Sequence, residues 1–244
     1  MASIKARVRE IFTLLHSIPS WLLAFFVASL IAMNLLANKS INGLPSWLAL
    51  DSGFIFSWVA FAVMDIIVKR FGAKAANMVS FVSIALNLFV VLLFFAASKI
   101  PGDWSTCYGA DGNPVPELNE AVNSIFCGSW FVVFGSTLAI VISTVFNNFM
   151  NVTVGKLFEK NSFKAYAARS IISTFLGQFV DNMVFAFVVS IHFFGWTPVQ
   201  AITCSITGGI AELLFEVILS PLCYKVVLAW ERDDVGKEYI DKYC

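Results

Sequence analysis

The sequence is poor in charged residues. Asp, Glu, Lys and Arg make up only 13% of its 244 residues, about half the share of roughly 25% found in soluble domains. Hydrophobic residues account for 59% of the chain, and the mean hydropathy is +0.80. One water-soluble core of this size cannot bury that much apolar surface. The composition therefore predicts an all-α integral membrane protein.

The sequence also lacks the motifs of common enzymes. It contains two histidines, and it has neither a phosphate-binding P-loop nor a G-x-S-x-G element. Its basic and acidic residues number 16 each, so the net charge does not suggest a nucleic-acid partner. The cysteines show no metal-ligand spacing, and a disulfide between Cys107 and Cys127 stays open. We expect no catalysis, metal or other cofactor, whereas a transporter needs only a polar site between helices.

Six apolar runs are long enough to cross a bilayer as helices. They comprise residues 20–38, 52–68, 75–98, 129–155, 166–194 and 198–230. If the N-terminus lies inside, 14 of the 16 basic residues fall on the inner side, and only Lys39 and Lys99 fall outside. The positive-inside rule therefore predicts six transmembrane helices with both termini in the cytoplasm.

The other segments frame a single transmembrane domain over residues 20–230. Residues 1–19 repeat apolar side chains at helical spacing opposite basic ones, which predicts a basic amphipathic helix on the inner leaflet. Residues 99–128 form the longest loop, on the outer side, and residues 231–244 form a cytoplasmic tail. We expect a multi-pass protein of the cell membrane, either a bacterial inner membrane or a plasma membrane.

One face of the fifth span is polar. It carries Ser170, Ser173, Thr174, Gly177, Gln178 and Asp181. These positions fall within a sector of about 140°, with Asp181 near the bilayer midplane. Because an ionisable residue is costly at that depth, it indicates a functional site. Alternatively, Asp181 and Gln178 bond to Asn148 or Asn151 of the fourth span and only hold helices together.

Further acids lie at depth in other spans: Asp65 in the second, and Glu212 and Glu216 in the sixth. Four ionised and unpaired acids would cost on the order of 10 kcal/mol. Lys69 follows Asp65 at a spacing that allows an ion pair. The remaining excess predicts a wet cavity or a donor-rich or cationic ligand, and Gly208, one turn from Glu212, leaves room for it. Glu216 and Asp65 are candidates for proton coupling or for a supporting role.

The first span carries a ridge of small residues. Ala24, Ala28 and Ala32 recur at four-residue spacing, which lets another helix approach closely. The ridge either packs inside the protein or docks a partner membrane protein.

Taken together, these motifs resemble the family of vitamin-uptake transporters that are described as queuosine-precursor transporters. The resemblance rests on Ala32 to Lys39, on Asp65 with Phe71-Gly72, on Arg169-Ser170, Ser173-Thr174, Gly177-Gln178 and Asp181, and on Glu212, Glu216 and Ser220-Pro221-Leu222. It implies a six-span protein that imports 7-cyano- or 7-aminomethyl-7-deazaguanine. The family is also similar to the substrate-binding subunits of energy-coupling-factor transporters, in which an alanine stripe docks the energising ATPase module.

The chemistry of such a base suits the predicted site. A 7-deazaguanine presents an N–H beside an exocyclic amine, and one carboxylate can accept both hydrogen bonds. Asp181 or Glu212 is the expected acceptor, and an amide such as Gln178 would donate to the base carbonyl. The remaining predicted site residues are Arg169, Ser170, Thr174, Asn148 and Asn151.

Some positions depart from the family pattern, and they leave the identity of the base open. These are Met64, Lys69 and Asn148-Phe149-Met150-Asn151. One rival interpretation is a binding subunit for another vitamin or nucleobase that needs an energising module, and another is a membrane scaffold. A homo-oligomer is also compatible with the sequence.

Overall fold

The chain folds into helices. The computed structural model describes the backbone of residues 2–155 and 163–244, and their side chains except at positions 2, 3, 61, 65, 144, 147–149, 151, 152, 154, 155, 163–171, 173, 174, 216 and 220. The elements are α1 (Ala2–Ser17), α2 (Ser20–Leu36), α3 (Phe54–Ala97), α4 (Pro116–Gly155), α5 (Phe163–Phe185), a π-helical turn (Ala186–Ser190), α6 (Ile191–Phe194), α7 (Pro198–Arg232) and α8 (Lys237–Tyr243). No β-strand forms among these described residues. The predicted all-α class is therefore confirmed.

Four helical stretches of the described chain are long and apolar enough to cross a bilayer. They are Ile66–Ala97, Pro116–Ser143, Phe175–Phe194 and Pro198–Leu219. The N-terminal pair Ile4–Ser17 and Ser20–Leu36 meets the same criterion only when taken together, and it bends by 104° at the break. The apolar helix Phe54–Met64 is shorter than a span. These helices fit a membrane protein, and the count of six spans stays a prediction.

Helix α3 is interrupted at Gly72, in the gap between the predicted second and third spans. Its backbone has φ 83° and ψ 166°, a region that is essentially restricted to glycine. The two helical parts of α3 meet at this residue. The position of the break therefore follows from one residue without a Cβ atom.

An aromatic cluster and a backbone anchor join the Gly72 break to the C-terminal end of the chain. The Phe71 ring lies 6.1 Å from the ring of Trp230 and 6.1 Å from that of Tyr239, measured between centroids. Arg70 donates from Nε and Nη2 to the carbonyl oxygen of Val235, at 3.0 and 2.8 Å. The end of α7 and the start of α8 are thereby held against the middle of α3.

The N-terminal helix reaches the same place. Glu10 of α1 forms an ion pair with Lys74, and the Tyr239 hydroxyl lies 3.5 Å from the Glu10 carboxylate. Burial, together with the nearby charge of Glu10, raises the pKa of Tyr239 to about 12. We call the end of the molecule that carries α1, the Gly72 break and α8 the terminal end.

The opposite end carries the loops, and we call it the loop end. Helix α7 has 35 residues and connects the two ends over about 52 Å. The loop before α4 is anchored on α4 itself. The backbone N–H of Trp104 donates to Asn119 Oδ1 at 3.0 Å, and its indole N–H donates to Asn123 Oδ1 at 2.8 Å. Cys107 and Cys127 are free thiols, so the disulfide left open by the sequence does not form here.

We expect Gly72→Ala to lower the stability of the protein. A Cβ atom at this backbone conformation should cost about 1–3 kcal/mol, which corresponds to a drop of several degrees in the melting temperature of the detergent-purified protein. The matched control is Gly128→Ala in α4, where the added Cβ would meet its nearest atom at 3.4 Å. Equal melting temperatures for the two variants would contradict this role of Gly72.

Candidate functional site

Helix α5 places Asp181 against α4. The Ser143 hydroxyl donates a hydrogen bond of 2.8 Å to Asp181 Oδ1. Both side chains are partly buried, and the bond joins α4 to α5. The predicted polar face of α5 thus contributes an acid to a contact between helices.

Glu212 of α7 also contacts α5. Its side chain is buried, and its Oε2 accepts a hydrogen bond of 3.0 Å from Asn182 Nδ2. Ser57 of α3 is also buried near this carboxyl, and its hydroxyl donates to the Phe54 carbonyl oxygen of its own helix at 3.1 Å. The Asn182 side-chain amide also donates to the backbone carbonyl oxygen of Gln178 at 3.0 Å, and this bond fixes the orientation of the Asn182 side chain. Helices α3, α5 and α7 therefore meet at this carboxylate.

The two acids are held next to each other on the chain of contacts through α5. Asp181 bonds to Ser143 of α4, and the adjacent Asn182 bonds to Glu212 of α7. The ion pairs of the described residues, Lys74–Glu10, Arg232–Asp233 and Lys237–Asp234, involve neither acid. No three potential metal ligands lie together in the described part of the chain. The site is therefore rich in acceptors and suits a ligand that brings hydrogen-bond donors or positive charge.

Gln178 adds an acceptor to this site. Its side chain is 6% exposed, and its Oε1 has no donor among the described residues. A buried carbonyl oxygen without a donor costs about 1–3 kcal/mol. A ligand N–H at this position would remove the cost.

The space beside Glu212 that the sequence assigned to a ligand is filled. A Cβ atom at Gly208 would lie 3.1 Å from the Asn182 side chain. The expectation that Gly208 leaves room for a ligand is therefore wrong, because Asn182 occupies that space and uses it to reach Glu212. Next to it, Gly209 allows the Phe175 ring and the Phe179 backbone to approach α7.

Two aromatic residues, Trp58 and Phe215, are close in sequence to Ser57 and Glu212. Trp58 follows Ser57, and its ring stacks on that of Phe215 at 5.8 Å with an interplanar angle of 21°. Both rings project from helices that also supply polar groups to the site. They are candidates for stacking on a flat ligand.

The structure brings together three of the predicted site residues: Asp181, Gln178 and Glu212. The side chains of the others lie outside the described residues: Arg169, Asn148, Asn151, Ser170, Thr174, Glu216 and Asp65. Sequence reasoning missed Ser143, Asn182 and Ser57. Of these, Asn182 carried a signal, since it follows Gln178 by four residues and extends the same polar face.

The alanine ridge of α2 faces outward. Ala24 and Ala28 are exposed and Ala32 is half-buried. Packing inside this chain therefore does not account for Ala24 and Ala28. Their exposure leaves the ridge accessible to another helix.

The long apolar helices fit a membrane protein, and polar side chains of α4, α5 and α7 meet between them. Residues 51–226 match the model of the family described as putative vitamin uptake transporter. This match covers more than half of the chain, and the chain belongs to that family. No curated protein and no solved structure matches the chain.

We expect Ser143→Ala to destabilise the protein by about 1–3 kcal/mol, because the Asp181 carboxyl loses a hydrogen bond in an apolar setting. Thermal unfolding in detergent measures this. The control is Ser129→Ala on the same helix, whose hydroxyl bonds the Ile125 carbonyl of its own helix at 2.9 Å. If both variants unfold at the same temperature, the bond between α4 and α5 contributes little.

Proposed function

We propose that the protein imports a queuosine precursor, 7-cyano- or 7-aminomethyl-7-deazaguanine, through the site formed by Asp181, Gln178 and Glu212. Membership of a vitamin uptake family supports import of a small organic molecule. The observation that carries the substrate class is the set of acceptors at this site. They are the partly buried Asp181 carboxyl, the buried Glu212 carboxyl and the Gln178 amide oxygen, which has no donor among the described residues.

The donors of a 7-deazaguanine suit these acceptors. The ring N–H and the exocyclic amine lie side by side, so one carboxylate can accept both in a paired, charge-assisted arrangement. The pyrrole N–H offers a further donor on the other edge of the base, which suits Gln178 Oε1. An aminomethyl group is cationic and would be attracted by the second acid. The rings of Trp58 and Phe215 supply aromatic surface for the flat base.

In this proposal the protein has six spans. The terminal end lies on the cytoplasmic side of the cell membrane, and the loop end lies on the outer side. Support for the sidedness comes from the basic residues Arg70 and Lys74, which lie beside α1 and α8 where the positive-inside rule puts cytoplasmic segments. The base would enter from the loop end and leave at the terminal end.

Three energy sources are compatible with the site. Protons can be coupled through Glu216 or Asp65, consumption of the base in the cytoplasm can sustain facilitated diffusion, or a partner ATPase can drive transport. Dependence of uptake on an imposed pH gradient tests the first. Co-purification with ATPase subunits tests the last.

Substitution of the site acids tests the substrate assignment. A base at 100 times its dissociation constant should stabilise the wild type by about 2.7 kcal/mol. In Asp181→Asn and Glu212→Gln we expect that shift to fall strongly, since loss of a charge-assisted hydrogen bond weakens binding by about 10- to 150-fold. Thermal-shift titration with 7-deazaguanines, guanine and a panel of vitamins measures this, and uptake into vesicles should fall in parallel.

The matched controls for these variants are Asp241→Asn and Glu238→Gln on α8, where both side chains are exposed. They should bind the base like the wild type. Loss of folding in the site variants, without a change in binding among folded molecules, would favour a structural role for the acids. A shift with another vitamin alone would refute the deazaguanine substrate.

The exposed alanine ridge favours a second candidate function, that of a substrate-binding subunit for an energising ATPase module. Ala24 and Ala28 are open to a partner helix, and small residues allow close helix approach in a membrane. In this case the same site would bind its ligand, and transport would need the partner.

If this second function is correct, Ala28→Leu should weaken the complex with the ATPase module about 5- to 150-fold, because overpacking an interface costs about 1–3 kcal/mol. Pull-down of the module from cells measures this. Ala85→Leu is the control, since Ala85 is exposed on α3. Equal recovery with both variants would remove the ridge as a docking surface.

A further inference from the structure

A cavity lies at the loop end, away from the site just described. Its volume is about 630 Å³, within the range of about 300–1,000 Å³ that is typical of small-molecule pockets. Its walls come from the end of α3, the start of α4 and α6. Lining residues used below are Lys99, Asp103, Glu120, Phe131, His192 and Phe193.

One wall of the cavity is aromatic. The Phe131 ring lies 4.9 Å from the His192 ring and 5.6 Å from the Phe193 ring, measured between centroids. His192 and Phe193 are exposed, so their surfaces are available to a ligand. Aromatic groups of this kind bind flat rings by stacking or by edge contacts.

The other wall is acidic. Asp103 and Glu120 are exposed, and neither belongs to an ion pair of the described residues. Lys99 is the one basic side chain in the lining, and its Nζ lies over the Phe95 ring at 5.5 Å. The acids therefore favour a neutral or cationic ligand and disfavour a phosphorylated one.

The acidic wall is held in place. Asn119 accepts from the Trp104 backbone and donates to the Gly102 carbonyl at 3.1 Å. The Trp104 ring stacks on Phe126 at 5.0 Å. These contacts fasten the loop that carries Asp103 to the helix that carries Glu120, so the cavity exists without a ligand.

The cavity lies above the buried site along the same pair of helices. Phe131 precedes Ser143 by 12 residues on α4, and His192 follows Asp181 by 11 residues along α5, the π-helical turn and α6. At about 1.5 Å per residue these separations are roughly 18 and 16 Å. A ligand in the cavity would thus lie about one half of the hydrocarbon thickness above Asp181.

A tight contact between α4 and the π-helical turn lies between the two sites. A Cβ atom at Gly135 would lie 2.2 Å from Val189 Cγ2, so α4 and the π-helical turn touch there. Val132 and Val189 are fully buried in the same cluster. Along both helices, this packed contact lies between the outer cavity and Asp181.

We propose that the outer cavity is a capture site for a flat, neutral or cationic free base, which binds there before it passes the Gly135–Val189 contact. The proposal rests on the function proposed above for the choice of base. The ring stacks on the aromatic wall, and its amino groups donate to Asp103 and Glu120. A base that carries a phosphate is excluded by the same two acids.

Labelling of Cys127 tests the capture site directly. Cys127 lines the cavity and is partly exposed, so a bound base should shield it. The probe is 7-aminomethyl-7-deazaguanine, added to purified Cys244→Ser protein that also carries Asp181→Asn. At about ten times its dissociation constant the base leaves roughly a tenth of the sites empty, so maleimide labelling should slow about tenfold.

Protection should disappear in Asp103→Asn/Glu120→Gln and persist in the control Glu117→Gln, whose side chain is exposed on the first turn of α4. Guanosine monophosphate should not protect. The same labelling is done on Cys244→Ser protein that keeps Asp181. If the base protects Cys127 there but not in the protein with Asp181→Asn, or protects it in neither, the capture site would be overturned. Protection that survives Asp103→Asn/Glu120→Gln would overturn it as well.

Uptake kinetics provide a second, independent readout. In Asp103→Asn/Glu120→Gln the half-saturating concentration should rise about tenfold with an unchanged maximal rate. An unchanged half-saturating concentration would overturn the capture site. The proposed function fails separately, when no base shifts the melting temperature of the wild type.

Discussion

The buried polar groups of this protein must find their partners inside the bundle, and this constraint organises its centre. In an apolar environment a carboxylate without a hydrogen bond is far more costly than a paired one. Asp181 meets this demand through Ser143 of α4, and Glu212 meets it through Asn182 of α5. The same bonds tie α5 to its two neighbours, so the groups that form the site also hold the helices around it.

That arrangement leaves acceptors in excess. Each carboxylate has two oxygens and more lone pairs than its protein donors can use, and Gln178 Oε1 has no donor among the described residues. A ligand with several hydrogen-bond donors would supply the missing partners. The same groups that join the helices therefore keep acceptor capacity that the proposed ligand would use.

The two ends of the molecule differ in whether their charged side chains are paired. At the terminal end, α1, α8 and the Gly72 break are joined by paired groups, an ion pair between Glu10 and Lys74 and the bonds from Arg70 to Val235. At the loop end, Asp103 and Glu120 stand at an open cavity outside the ion pairs of the described residues. Paired polar groups hold the terminal end together, whereas the exposed acids of the loop end face solvent. The Gly135–Val189 contact lies between the open cavity and the central site.

The sequence by itself determined the helical membrane class and the polar face of α5, because apolar length and a period of 3.6 residues are local properties. It also proposed Asp181, Gln178 and Glu212 as site residues, since polar side chains at depth are conspicuous in an apolar run, and their role stays a prediction. It could not identify Ser143 or Asn182 as partners, or show that Asn182 fills the space at Gly208, because contacts between helices depend on how the helices rotate against each other. For the same reason only the tertiary structure decided that Ala24 and Ala28 face outward and that a packed contact lies between the outer cavity and Asp181.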